Sequence, residues 1–133
     1  MVAFDQSPRT YRVPATPEYC PELILWQQRL IPLIHTAQLF GAHGSPSNAH
    51  VGIFAYQQEP GRPLEYLALS LYGAPVKIEV SENSLAELPP SYDDSLLRPL
   101  ARSCFRHEGE AVPILDITYL ASSTLRDQLH NRA

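Results

Sequence analysis

The side chains able to do chemistry are few and scattered. Of five histidines, His43 and His50 share one loop region, His35 stands shortly before them, and His107 leads the run His107-Glu108-Gly109-Glu110. None has HExxH spacing or the paired His/Cys spacing of a zinc site, so they read as surface histidines and no metal is expected. Cys104 and His107 could pair as nucleophile and base, but residues three apart on a strand point to opposite faces. Asp93 with Asp94, and Glu108 with Glu110, could divide acid and base roles only if burial separated their pKa values. Each pair falls in a loop or hairpin tip, so both read as solvated turns. Gly41-Ala42-His43-Gly44-Ser45 contains glycine but no lysine and no following helix pattern, which does not make a phosphate cradle. Neither an enzyme nor a cofactor site is expected.

The elements that carry these residues are short. The chain has 133 residues, within the range of one domain. Its 44% hydrophobic and 18% charged content suits a folded globule. A formal charge of −4 offers no field for phosphate backbones or anionic lipid, so neither nucleic-acid binding nor direct membrane insertion is expected. No run of eighteen apolar residues and no signal-peptide stretch occurs, which implies a cytoplasmic protein. Cys20 and Cys104 lack CxxC partners and read as reduced core thiols. Thirteen prolines, roughly twice the usual share, break the chain often.

Glu22 to Ile34 (ELILWQQRLIPLI) predicts a hairpin turning at Gln27-Gln28, and His50–Gln57 with Leu64–Leu71 predicts a second across Pro60-Gly61. The strict alternation of Val76 to Val80 (VKIEV) predicts a further strand that completes a meander. Ser81 to Leu88 offers a short helical turn before Pro89-Pro90. Leu100–His107 and Glu110–Leu115 predict a last hairpin across Glu108-Gly109. Ile117, Leu120, Ala121, Leu125 and Leu129 then recur at the spacing of an amphipathic C-terminal helix. Short strands at this density indicate small barrels or a sandwich.

The chain also repeats itself. Ile31-Pro32-Leu33-Ile34-His35-Thr36-Ala37-Gln38-Leu39 lies over Val112-Pro113-Ile114-Leu115-Asp116-Ile117-Thr118-Tyr119-Leu120 at a constant offset of 81. Each copy is a hairpin feeding a short helix, with a proline that a strand tolerates only at an edge or a bulge.

With Thr16-Pro17 before the first copy, VGIFAYQ and YLALSLYGAPVKIEV between the copies, and LAELPP before the second, this order resembles the CheW-like domain family. That family comprises the chemotaxis coupling protein CheW and the regulatory domain of the histidine kinase CheA. Its pattern is TP, then GVxNLRGxxxPVxDL, two paired strands, and a second copy ending in an LLDL element. The resemblance covers residues 12 to 130 and rests on the order of the segments.

It implies a single CheW-like domain over residues 1–133, with residues 1–15 as an N-terminal arm and 16–130 as the core. The implied fold is mainly β: two small SH3-like barrels packed along a hydrophobic seam, with short helices. It implies a non-enzymatic adaptor in chemotaxis-type or pilus-motility signalling, located in the cytoplasm at membrane-associated arrays. Its partners would be a CheA-type histidine kinase, a chemoreceptor or a pilus regulator.

Departures from the family pattern mark the sites to watch. Gln27 replaces the arginine of the hairpin tip and Gln28 its glycine; His35 stands in the first-copy Asp position, while Asp116 keeps the second. Leu71-Tyr72 occupies the place of a Val-Asp pair. The partner-binding set implied is Trp26, Gln27, Gln28 and Arg29 at the tip, where Trp and Arg make good interface anchors, together with Leu71 and Tyr72. The family normally begins with two strands before the TP element, and here only fifteen residues precede Thr16, so the first barrel is expected to be incomplete. Its bare edge requires a cover: the arm from Phe4 to Val13, a homodimer, or a partner's strand. An alternative function is a small-ligand or nucleotide sensor, which a buried pocket lined by Trp26, Tyr56, Tyr66 and Tyr72 would favour.

Overall fold

The computed structural model describes residues 1–6, 8–16, 19–39, 50–71, 73–87 and 98–132. Pro17, the run Gly41-Ala42-His43-Gly44-Ser45, Tyr72, Pro89-Pro90, Asp93 and Asp94 lie outside them. Two compact units result, Met1–Val76 and Lys77–Ala133.

The first unit is a six-stranded sheet. Its strands are β1 (Ala3–Gln6), β2 (Thr10–Arg12), β3 (Glu22–Trp26), β4 (Arg29–Ile34), β5 (His50–Tyr56) and β6 (Glu65–Leu71), in the order β1-β5-β6-β4-β3-β2. A flat sheet would hold its two outer strands about 24 Å apart, at ~4.8 Å per strand. Yet β1 and β2 are joined by a stretch of chain that spans about 14 Å at most. The sheet must therefore curl until its ends approach. It is a barrel without a ladder between β1 and β2 among the described residues, incomplete in that sense.

Of the three covers expected for the edge, the structure shows the arm. Phe4 pairs with Gly52 in β5 and Tyr11 with Leu23 in β3. Val2 N–H donates to Ile53 O at 2.8 Å, and Leu25 N–H to Arg9 O at 3.4 Å. The inward face is apolar, as period-two alternation requires: Ile24, Ile31, Leu33, Val51, Ile53 and Ala68 form one buried cluster.

The hairpins fall where the sequence places them, for a conformational reason. Gln27 and Gln28 have φ of 48° and 64°, and Glu108 and Gly109 have 51° and 82°. Positive φ at both central residues is the signature of the type I′ turn, whose twist matches that of the strands it joins. Only Gly109 takes this conformation without steric cost. Gln28→Gly is accordingly expected to stabilise the first unit by about 1 kcal/mol, read as a rise in melting temperature by circular dichroism.

The second unit holds β7 (Leu85–Ala86), β8 (Ala101–His107) and β9 (Glu110–Leu115), ordered β7-β8-β9. Two helices follow, α1 of the first unit (Thr36–Leu39) having its counterpart in α2 (Ile117–Leu120), and α3 (Ser123–Arg132) closing the chain. The expected C-terminal helix is thus two helices separated by Ala121-Ser122. Leu100, Ala101, Cys104, Phe105, Leu120 and Leu125 are buried.

The repeat is structural. β4 and β9, α1 and α2, and the two turns superpose in number at the offset of 81. Leu23 faces Pro32 as Cys104 faces Pro113, and Trp26 faces Arg29 as His107 faces Glu110. In a ladder set by a two-residue turn, the residues flanking the turn are hydrogen-bonded and every second pair is too. Leu23–Pro32 and Cys104–Pro113 fall between, so the missing proline donor faces away from the hairpin partner. Pro113 therefore points to the open side of edge strand β9, as expected. Pro32 departs from expectation: β4 is an inner strand, and Pro32 sits just before the parallel ladder Leu33–Ala68, Ile34–Leu69.

Val76 to Val80 is a further correction. It joins no ladder among the described residues, and Val76, Ile78 and Val80 are 80%, 38% and 43% exposed. Alternation says which face of a strand would be wet, but only a neighbour with free backbone groups makes a sheet. The helical turn expected next is a 3-10 turn over Glu82–Ser84 running into β7.

Candidate functional site

The hairpin tip of the first unit is built from β3 and β4. Trp26 is half-buried and packs on the apolar cluster of the barrel. Its ring meets Tyr66 from β6 at 5.1 Å between centroids, tilted by 51°. The Arg29 guanidinium lies over the Tyr66 ring, 5.4 Å from its centroid. Such a stack of aromatic rings under an exposed cation is rigid on one side and wet on the other. Gln27, Gln28 and Arg29 are exposed. Tyr66, paired with Ala55 on β5, packs beside Trp26 on the buried cluster.

The outer face of the same hairpin adds residues that the sequence reading passed over. Leu25 and Leu30 lie directly opposite each other and are 44% and 57% exposed, and Tyr11 on β2 is 40% exposed. The signal was present in the alternation of ELILW: if Ile24 points in, Leu25 points out. Leu71 does not join this group. It is half-buried at the far end of β6, opposite His50 and five residues from Tyr66, roughly 16 Å along the strand. Tyr72 lies outside the described residues.

Of the aromatics expected to line a ligand pocket, Tyr72 is outside the described residues, while Trp26 and Tyr66 pack against each other. A cavity of about 340 Å³ lies at the β5–β6 turn, lined by Gln58, Glu59, Arg62, Pro63 and Glu65. Beside it, burial, and then the charge of Glu65 across the ladder, push the Tyr56 hydroxyl above its usual range.

Among the described residues, the chemistry-bearing side chains are dispersed. Cys104 is buried while His107, three residues on, is half-buried on the other face of β8. His50 stacks on Phe4 at 6.1 Å. Among the described residues, no three His, Cys, Asp or Glu side chains converge in a metal-binding group, and no helix is long and apolar enough to cross a membrane. Burial pushes the Cys20 thiol up from 9.0 to about 11. At pH 8 its thiolate fraction is then roughly a hundredfold below that of an ordinary thiol, so alkylation by iodoacetamide should be correspondingly slow. The neutral thiol is the form the fold favours, so this contribution to stability is complete below pH 9 and is lost as the pH rises towards 11.

At the end of each hairpin the two copies use different chemistry at matching places. His35 N–H donates to Tyr19 O and Asp116 N–H to Leu100 O, both at 2.8 Å and at the same offset of 81. Asp116 then caps α2, its Oδ1 accepting from Tyr119 N–H at 3.1 Å. His35 makes no such cap. Its ring is 2% exposed, with Nε2 3.4 Å from Glu22 Oε1. That approach falls short of an aligned hydrogen bond, and neither ring nitrogen has a hydrogen-bond partner among the described residues.

Comparison with known proteins bears on the whole of this arrangement. The model of the CheW-like domain family matches residues 5–125. Among solved structures, the scaffolding protein TtCheW from Thermoanaerobacter tengcongensis is similar, with a TM-score of 0.67 and 19% identity over 86% of this chain and 74% of that one. The shared fold is mainly β and SH3-like. No curated protein matches.

Proposed function

Because the chain belongs to the CheW-like domain family, we propose that it is a non-enzymatic coupling adaptor of a chemotaxis-type signalling assembly. It connects a CheA-type histidine kinase to a chemoreceptor or pilus regulator, and works in the cytoplasm at membrane-associated arrays. The observation that carries this reading is the family match itself, which runs through both compact units. It also supports taking residues 1–133 as a single domain with an N-terminal arm.

In this reading Trp26, Gln27, Gln28 and Arg29 form one contact surface, and Leu71 with Tyr72 a second. Support for the first comes from its construction. Trp26 and Tyr66 anchor the tip to the barrel core, so Arg29 is presented on a fixed base and loses little freedom on binding. The replacement of the tip arginine by Gln27 favours a narrower set of partners than the family pattern provides.

The test is recovery of partners by the purified full chain from its native lysate, with mass spectrometry of proteins and small molecules. A CheA-type kinase or receptor is expected. The variant Trp26→Ala with Arg29→Glu should bind the recovered kinase roughly 30-fold more weakly, as loss of a hot spot of about 2 kcal/mol implies. A co-purifying metabolite or nucleotide without any signalling protein would overturn the adaptor reading in favour of a sensor.

A further inference from the structure

The segment Val76–Val80 has the composition of a strand and the surroundings of none. Valine and isoleucine alternate with Lys77 and Glu79, all five residues are exposed, and none enters a ladder among the described residues. An exposed β-prone segment with one apolar face is a template for strand pairing, and soluble proteins manage such segments by covering them.

The sequence of the segment identifies the cover. Val-Lys-Ile-Glu-Val reads as its own complement when laid antiparallel to a second copy about Ile78. Val76 then opposes Val80, Ile78 opposes Ile78, and Lys77 opposes Glu79 twice over, once on each side of the two-fold axis. Three apolar residues from each copy share one face, and both opposite-charge pairs share the other. The remaining registers lack this match. A shift by two residues sets Lys77 against Lys77 or Glu79 against Glu79, a shift by one sets charges against valine or isoleucine, and parallel pairing aligns like charges.

We propose that Val76–Val80 is the dimerisation strand of this protein and pairs antiparallel with the same segment of a second copy. The contact is isologous, so it closes at two chains and does not propagate into a fibre. It is distinct from the edge that the N-terminal arm covers, and it stands or falls independently of the adaptor reading, since it requires neither kinase nor receptor.

Sedimentation velocity on the full chain, over a wide concentration range at low and high salt, provides the test. The wild type should dimerise reversibly, more weakly at high salt. Lys77→Glu places a carboxylate opposite Glu79 of the second copy, and Glu79→Lys places an ammonium opposite its Lys77. Each variant alone should raise the dimer dissociation constant roughly tenfold or more, a change of about 1.4 kcal/mol. Mixed together, the two single variants should form a heterodimer in which both opposite-charge pairs return, and the double variant Lys77→Glu with Glu79→Lys should dimerise like the wild type. Because both positions are exposed, the circular dichroism of all variants should match the wild type. A wild type that is monomeric at every concentration overturns the proposal, whatever else binds the segment. So does a dimer indifferent to Lys77→Glu, or a mixture of the single variants that stays monomeric.

Discussion

His35→Asp is expected to destabilise the first unit by about 3 kcal/mol, and Glu22→Ser added to it is expected to restore most of that loss. The two copies of the repeat carry the reason. At the equivalent places the first copy has Glu22 with His35, and the second has Ser103 with Asp116. A carboxylate is present at one position of each pair and never at both. His35 is buried with its Nε2 3.4 Å from Glu22 Oε1, so Asp there would confine two carboxylates in a site poor in water, where like charges repel strongly. Removing the Glu22 carboxylate converts the first copy to the chemistry of the second. Asp at position 35 could then cap α1 as Asp116 caps α2. Urea denaturation of the single and double variants measures the coupling. Additive effects would show that the two positions do not interact.

Deleting residues 1–12 should cost on the order of 5 kcal/mol, comparable to the whole stability of a small domain. The deletion removes β1 and β2 together, and with them seven ladder positions, four on β5 and three on β3. At about 1 kcal/mol net per backbone hydrogen bond, the loss is of that size before any apolar area is counted. It also bares both outer edges of the sheet at once, which favours association of the truncated chain. Circular dichroism melting and sedimentation report the two consequences. A truncated chain that melts with the wild type and remains in its oligomeric state would show that the arm is dispensable.

The candidate site was legible in part. Trp26 to Arg29 could be placed at a hairpin tip because polar residues between two apolar runs are a local signal, and a two-residue turn needs only its own residues and flanks to form. Tyr66 could not be assigned to that tip from sequence. It lies 40 residues from Trp26, and whether it faces in or out depends on a register set by β5. Leu71 entered the partner-binding set through its place after the middle strand, and the direction of β6 sets it at the opposite end of that strand from Tyr66.

What the amino-acid sequence determined by itself were the features whose cause is local or repeated. These are the hairpin turns at Gln27-Gln28 and Glu108-Gly109, the strands that flank them, and the hairpin-to-helix unit recurring at an offset of 81. The tertiary structure alone decided the rest. It set the arm on both edges of a curled sheet, drew Pro32 into an inner strand, left Val76–Val80 outside every ladder of the described residues, and put Arg29 over Tyr66. Each of these depends on which distant backbone supplies the other half of a ladder. A strand's own residues state its preference for a face, but the partner that satisfies its backbone groups is chosen only when the whole sheet closes.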